Sequence, residues 1–232
     1  METPVSLLSL QPEIEPDRSV EQINRAEVVD IPAAPAPLLT PATTVEPVLI
    51  YKTVDELSVR AANCRLCSLA NTRTQVVFGS GNADADIVFI GEVPDSDEDQ
   101  QGEPFVGSTG KLLDRMLISI GLDRKAVYCL NIVKCRPPNG RDPRVEEVQA
   151  CSLWLEQQLE SLQPKVICAL GRVAAQTLLK TEETLAELRG SWHDYQGTPV
   201  WVTYHPAFLL RSPQQKQKCW SDLIELMEHY GC

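Results

Sequence analysis

Four apolar runs recur along the chain: Asp86–Glu92 (DIVFIGE), Ala126–Lys134 (AVYCLNIVK), Lys165–Leu170 (KVICAL) and Val200–Tyr204 (VWVTY). Each is rich in β-branched residues and lacks polar alternation, the pattern of a strand covered on both faces. A helical spacing follows every one of them, over Lys111–Ile120, Val145–Leu162, Arg172–Leu179 and Gln214–Tyr230. Strand then helix, four times over, predicts an α/β fold: a three-layer α/β/α arrangement around a mostly parallel, four-stranded sheet. Upstream, Thr53 with Glu56 three residues on reads as the capped start of a helix that runs into Cys64 and Cys67. In sheets of this kind ligands gather beyond the carboxyl ends of the strands, and the polar motifs of this sequence fall there.

The first fifty residues break this pattern. They hold eight prolines and no Gly, Cys or aromatic residue, which leaves little with which to build a core, so residues 1–50 are expected to be a disordered, Pro-rich acidic tail ahead of a folded domain over 51–232. Val5, Leu7, Leu8 and Leu10 form a short apolar cluster suited to a protein partner, against a plain solvated tail. The tail also carries eight acids and two bases, −6 of the net −11. The remaining −5 leaves room for a local basic patch of the kind nucleic acid requires. Lys134, Arg136, Arg141 and Arg144 supply one such cluster, and Arg211, Lys216 and Lys218 a second. At 43% hydrophobic and 23% charged residues the composition is globular rather than fibrous. No run is long enough to span a membrane and Met1, Glu2 and Thr3 do not open a secretory signal, so the expected location is cytoplasmic.

Three groups of residues carry candidate chemistry. After the first strand run comes an acidic connection, Gly91-Glu92-Val93-Pro94-Asp95-Ser96-Asp97-Glu98-Asp99, continuing to Phe105 and Gly107. It is long for a strand-to-helix loop, and its carboxylates suit a metal or a water as well as simple solvation. Cys64-x2-Cys67 and Cys135-x15-Cys151 offer four thiolates. From the residues alone an iron–sulfur cluster, a zinc ion and unliganded core cysteines all remain open, while Cys129 and Cys168 lie inside strand runs and read as core. Finally, His205 stands at the end of the last strand run and is followed by Leu209, Leu210 and Arg211. An apolar pair beside a base suits insertion into stacked bases, or ordinary helix packing.

Taken together, Cys64-x2-Cys67, Gly91-Glu-x-Pro with Glu98-Asp99 and Gly102-x-Pro-Phe-Val-Gly107, Asn131-x2-Lys-Cys135-Arg-Pro-Pro138, Cys151, and His205-Pro-x-Phe-Leu-Leu-Arg211 resemble the iron–sulfur, thermostable-type uracil-DNA glycosylases known as family 4. The resemblance spans about residues 55 to 225. It implies a DNA-repair hydrolase that flips uracil out of single- or double-stranded DNA and cleaves its glycosidic bond, leaving an abasic site. A structural 4Fe–4S cluster on Cys64, Cys67, Cys135 and Cys151 is implied with it. So is a uracil pocket of Gly91, Glu92, Val93, Phe105, Asn131 and His205, in which Phe105 stacks on the base, the Asn131 amide reads N3–H and O4, and a neutral His205 donates to O2. Glu98 is expected to hold the attacking water, with Asp97 or Asp99 in its place if the register slips. Lys134, Arg136, Leu209, Leu210 and Arg211 are expected to face DNA, and a monomer is the default.

One departure stands out. Asp95 occupies the place where the family commonly has Gly, implying a different loop backbone or an added carboxylate. It gives some weight to a catalytically weak binding module. An electron-transfer protein is a further alternative, but that reading leaves Phe105, Asn131 and His205 without a role.

Overall fold

The apolar runs form the centre of a single sheet in a computed structural model that describes residues 53–230. The tail expected over 1–50, with its apolar cluster, lies outside the described residues, as does Cys232. In chain order the strands are β1 Ser80–Gly81, β2 Ile87–Gly91, β3 Val127–Asn131, β4 Val166–Leu170, β5 Trp192–Tyr195 and β6 Thr198–Thr203. Their spatial order is β1-β3-β2-β4-β6-β5. The inner four are parallel: Ile87 stands opposite both Val127 and Val166, and Ile167 opposite Val200.

The helices are α1 Val54–Ala61, α2 Ser96–Gln101, α3 Gly107–Ser119, α4 Val145–Leu162, α5 Arg172–Leu179, α6 Leu185–Leu188, α7 Pro206–Arg211 and α8 Lys216–Tyr230. Strand side chains alternate between two apolar layers. Val88, Ile90, Leu130, Ile167 and Val202 pack with α1, α4 and α5. Ile87, Phe89, Val127, Cys168 and Trp201 pack with α3, α7 and α8. Every residue of β2, β3 and β4 is buried, which is why their sequences show no polar alternation. Truncating one of these side chains, such as Phe89, removes about 3–5 kcal/mol of stability.

The expected four-stranded sheet is thus the parallel centre of a six-stranded mixed one. The two added strands are antiparallel edges. β1 is only two residues long and β5 (WHDY) is partly exposed, so neither carries an apolar run. A hairpin signal was nonetheless present at Gln196-Gly197, whose φ values of 52° and 89° form the two-residue turn between β5 and β6. The second and fourth strand runs also end earlier than expected, at Asn131 and Thr203. No helix among the described residues is long and apolar enough to cross a membrane.

Candidate active site

The carboxyl ends of β2, β3 and β6 bring Gly91, Asn131 and His205 together. A Cβ on Gly91 would stand 2.4 Å from Asn131 Oδ1, 2.6 Å from Phe105 Cζ and 3.2 Å from His205 Nε2. Only a residue without a side chain lets these three groups meet, so the bare carboxyl end of a central strand becomes their common cleft. The Phe105 and His205 rings lie 5.6 Å apart, tilted by 32°. Asn131 is buried, and its Nδ2 is a donor without a hydrogen-bond partner among the described residues. A buried amide left this way is costly unless a ligand accepts from it.

His205 caps α7, with Pro206 at the first helical position, and its Nδ1 accepts the Ala207 N–H at 3.2 Å. Burial, with a smaller contribution from the Arg211 charge, lowers its pKa to about 4. The ring is therefore neutral near pH 7, and because Nδ1 is an acceptor its proton sits on Nε2, the atom nearest Gly91. Glu92 lies on the other side of Gly171. A Cβ there would come within 2.5 Å of Glu92 Oε1 and 3.0 Å of His205 Cβ, and the Glu92 carboxylate accepts the Val173 N–H at 3.0 Å. Burial pushes its carboxyl pKa up. The Gly91 and Glu92 carbonyls accept from Ile132 and Val133, which fixes the peptide groups leading to Val93.

The acidic connection is ordered around α2. Asp95 caps this helix: its Oδ1 accepts the N–H groups of Asp97 and Glu98 at 2.9 and 3.0 Å. With φ at −86°, its backbone has no need of glycine. Glu98 is buried and both its oxygens are taken by backbone donors, Oε2 by Asp95 N–H at 2.7 Å and Oε1 by Phe105 N–H. Burial raises its carboxyl to about 7. Asp99 is likewise buried, accepting the Thr74 N–H at 2.9 and 3.1 Å. Of the Asp97-Glu98-Asp99 run only Asp97 is exposed, its Oδ2 2.6 Å from where a Cβ on Gly107 would stand.

The four spaced cysteines also converge. Cys64, Cys67, Cys135 and Cys151 line one cavity with Leu66 and Trp154, and all four are free thiols. Three sulfurs accept N–H donors: Cys64 from Trp154 Nε1 at 3.2 Å, Cys135 from Arg73 Nη1 at 3.2 Å and Cys151 from the Lys134 backbone at 3.4 Å. Burial raises the Cys135 thiol to about 11 and that of Cys151 in the same direction. Among the described residues, no three such side chains close around a single metal ion. Buried Glu147 braces this region, accepting both Arg141 nitrogens at 2.6 and 2.8 Å and the Arg144 N–H at 2.8 Å.

Comparison with known proteins gives this geometry its relatives. The model of the uracil DNA glycosylase superfamily matches residues 78–224. A type-4 uracil-DNA glycosylase of Archaeoglobus fulgidus is 44% identical over 188 residues, covering 78% of this chain and 94% of the relative. One from Saccharolobus solfataricus is 40% identical, covering 75% and 85%, and one from Thermotoga maritima is 44% identical, covering 67% and 82%. The chain belongs to the type-4 uracil-DNA glycosylases.

Within this glycosylase the residues expected to face DNA divide. Lys134 is fully buried and its ammonium donates to the Asn131 carbonyl at 2.5 Å, so its position offers no route to a phosphate. Leu209 is a core residue at 1% exposure, whereas Leu210 is 37% exposed. Arg211, Lys216 and Lys218 are exposed beside it, and Arg136 is half-buried. Arg141 is engaged by Glu147. Sequence reasoning missed Gly171, Arg73, Trp154 and Glu147. Gly171, directly after a strand run, carried a readable signal; the others act through contacts that no spacing encodes.

Proposed function

We propose that the chain excises uracil from single- and double-stranded DNA, acting as a monomer and leaving an abasic site. The observation that carries this reading is the unpartnered Asn131 Nδ2 in a cleft shared with Phe105 and a neutral His205. A flipped uracil stacked on Phe105 accepts from Asn131 Nδ2 through O4 and donates N3–H to Oδ1; cytosine presents the opposite pattern at both positions and is rejected. As the glycosidic bond breaks, negative charge gathers on the departing base, and the His205 Nε2–H stabilises it at O2. The attacking water falls to Asp97, since Glu98 and Asp99 hold backbone amides. Glu98 then acts by positioning the loop. Arg136, Arg211 and Lys216 bind phosphates, and Leu210 fills the space the base leaves.

The cysteine cavity fits a 4Fe–4S cluster: four sulfurs around one space, with N–H donors aimed at three of them, are the surroundings such a cluster requires. Cys64, Cys67, Cys135 and Cys151 would hold it, and when bound it would supply a cross-link between the segment after α1, the segment after β3 and α4 rather than a reacting group. Free thiols at all seven described cysteines accord with a cytoplasmic, reducing location.

The test is cleavage of a labelled strand bearing one uracil, beside matched cytosine and thymine strands, by anaerobically purified protein followed by alkali. Cleavage confined to the uracil strand, and reduced about 10²–10³-fold in Asn131→Ala and His205→Ala, is expected. A cluster-loaded preparation that cuts no strand would refute the excision reading.

A further inference from the structure

Phe105 occupies φ 54°, the left-handed region that a bulky side chain enters only when its surroundings hold it there. Its peptide groups are held on both sides. The N–H is taken by Glu98. The carbonyl accepts from Arg124 Nη2 at 2.6 Å. Arg124 is itself fixed by Asp114 on α3, Nε to Oδ1 at 2.7 Å, and its guanidinium carbon lies 5.9 Å from the centre of the Phe105 ring. Gly110 makes room for the arrangement, because a Cβ there would fall 1.9 Å from the Phe105 carbonyl oxygen and 3.4 Å from Arg124 Nη2.

We propose that Arg124, anchored by Asp114, is a positioning residue for excision: it locks the Phe105 carbonyl, and so aims the ring at the flipped base. This rests on the reading of Phe105 as the stacking surface. A purely structural brace is the competing account, and solvent exposure separates the two. The Arg124 and Asp114 side chains are 30% and 45% exposed, and an ion pair that open to water contributes little to stability. Its loss should therefore register chiefly in the pocket, with at most a modest fall in melting temperature from the Phe105 carbonyl left without its donor. A ring displaced by about 1 Å costs on the order of 10²-fold in rate.

The experiment uses the full, cluster-loaded chain and two readouts, single-turnover excision from a single-stranded oligonucleotide and the binding constant of free uracil. Arg124→Ala should slow excision about 10- to 100-fold and weaken free uracil by a similar factor, with affinity for uracil-free DNA unchanged. Arg124→Lys, which keeps a donor without the planar fork, should recover part of both. In a Phe105→Ala background the Arg124 change should add nothing. Wild-type behaviour of Arg124→Ala, or full additivity with Phe105→Ala, would overturn the proposal. Should Arg124→Ala fail to accumulate, Asp114→Asn replaces it, with a smaller effect of the same sign expected and an unaltered rate counting against the idea. An inactive wild-type chain would instead strike at the excision reading, while the uracil-binding arm would still decide the role of Arg124.

Discussion

The cleft proposed for uracil and the cysteine cavity both draw on the end of β3 and the segment after it, yet they are held in opposite ways. In the cleft nearly every polar group is oriented by backbone: His205 by Ala207 N–H, Glu92 by Val173 N–H, Glu98 by the amides of Asp95 and Phe105. Among the described residues Asn131 Nδ2 is left without a partner, a donor available to a ligand. The cleft is therefore complete as protein and preorganised for charge that develops later. In the cavity, two of the three donors to sulfur are side chains, Arg73 and Trp154, and burial favours the neutral thiols of Cys135 and Cys151. Glu147 braces the same region through Arg141 and the Arg144 N–H. Sterics should break the cleft, and loss of charge the cavity.

The largest effect is expected at Gly91. Gly91→Ala places a methyl 2.4 Å from Asn131 Oδ1 and 2.6 Å from Phe105 Cζ, distances no real contact tolerates, so the reading amide and the stacking ring must both shift. Excision should fall about 10²-fold or more, by the cost of misplacing reacting groups, while the cluster absorbance stays intact. A Gly91→Ala enzyme with normal single-turnover kinetics would mean that the cleft is not where the base sits.

In the cavity the corresponding change is Glu147→Gln. Arg141 holds the Glu147 carboxyl at about 2, below its ordinary value of 4.5. A depressed folded pKa stabilises the native state above about pH 4.5, and that contribution is lost as the pH falls toward 2. The variant should lose about 1–3 kcal/mol at pH 7, because its amide keeps one acceptor oxygen but loses the charge and turns NH2 donors toward Arg141 or the Arg144 N–H, and should release iron faster during anaerobic heating. Equal melting curves for the two proteins between pH 5 and 8 would show that the brace is dispensable.

Glu98 sharpens the contrast because its shift runs the other way. With a folded pKa of about 7 against an ordinary 4.5, its contribution to stability is present below about pH 4.5 and lost as the pH rises through 7. Its grip on Phe105 N–H and Asp95 N–H strengthens over the same rise, since the charged carboxylate is the better acceptor. Excision should increase through about pH 7 to a plateau, and Glu98→Gln, which retains one acceptor oxygen, should be about 10-fold slower with that limb flattened. An unchanged pH profile in Glu98→Gln would return the limb to another group.

These two regions also differ in how far the sequence discloses them. Buried stretches of strand write themselves as apolar runs, so β2, β3, β4 and the buried part of β6 were legible, and residues at or just past their carboxyl ends, Gly91, Asn131 and His205, fall together by topology alone. The edge strands β1 and β5 were not, since an edge needs little apolar surface. Lys134 and Leu209 sit in motifs that suggest DNA, but the chain turns inward at both, and only the path of the backbone distinguishes Leu209 from exposed Leu210. Glu98 was identifiable as important, but a capping box and a water-holding carboxylate have the same residue in the same place, so the sequence alone does not separate the two roles. Arg124, 19 residues beyond the phenylalanine it holds, is joined to it by one hydrogen bond to a carbonyl, a contact without a sequence pattern.

The smallest effect is expected at Asp95, where the sequence resemblance implies glycine. If this aspartate altered the chemistry, its removal would change activity; if it only caps α2, the change would be slight. Its φ of −86° and its bonds to Asp97 N–H and Glu98 N–H favour the second account, because glycine at an N-cap is poorer than aspartate by only a few tenths of a kcal/mol. Glu98 accepts from the backbone N–H of residue 95, which glycine also possesses, so Asp95→Gly preserves the link to Phe105. Excision within about twofold of wild type is expected, a factor that corresponds to roughly 0.4 kcal/mol. Loss of activity in Asp95→Gly with α2 still formed would move the water from Asp97 to Asp95, one turn-start earlier in the same acidic run.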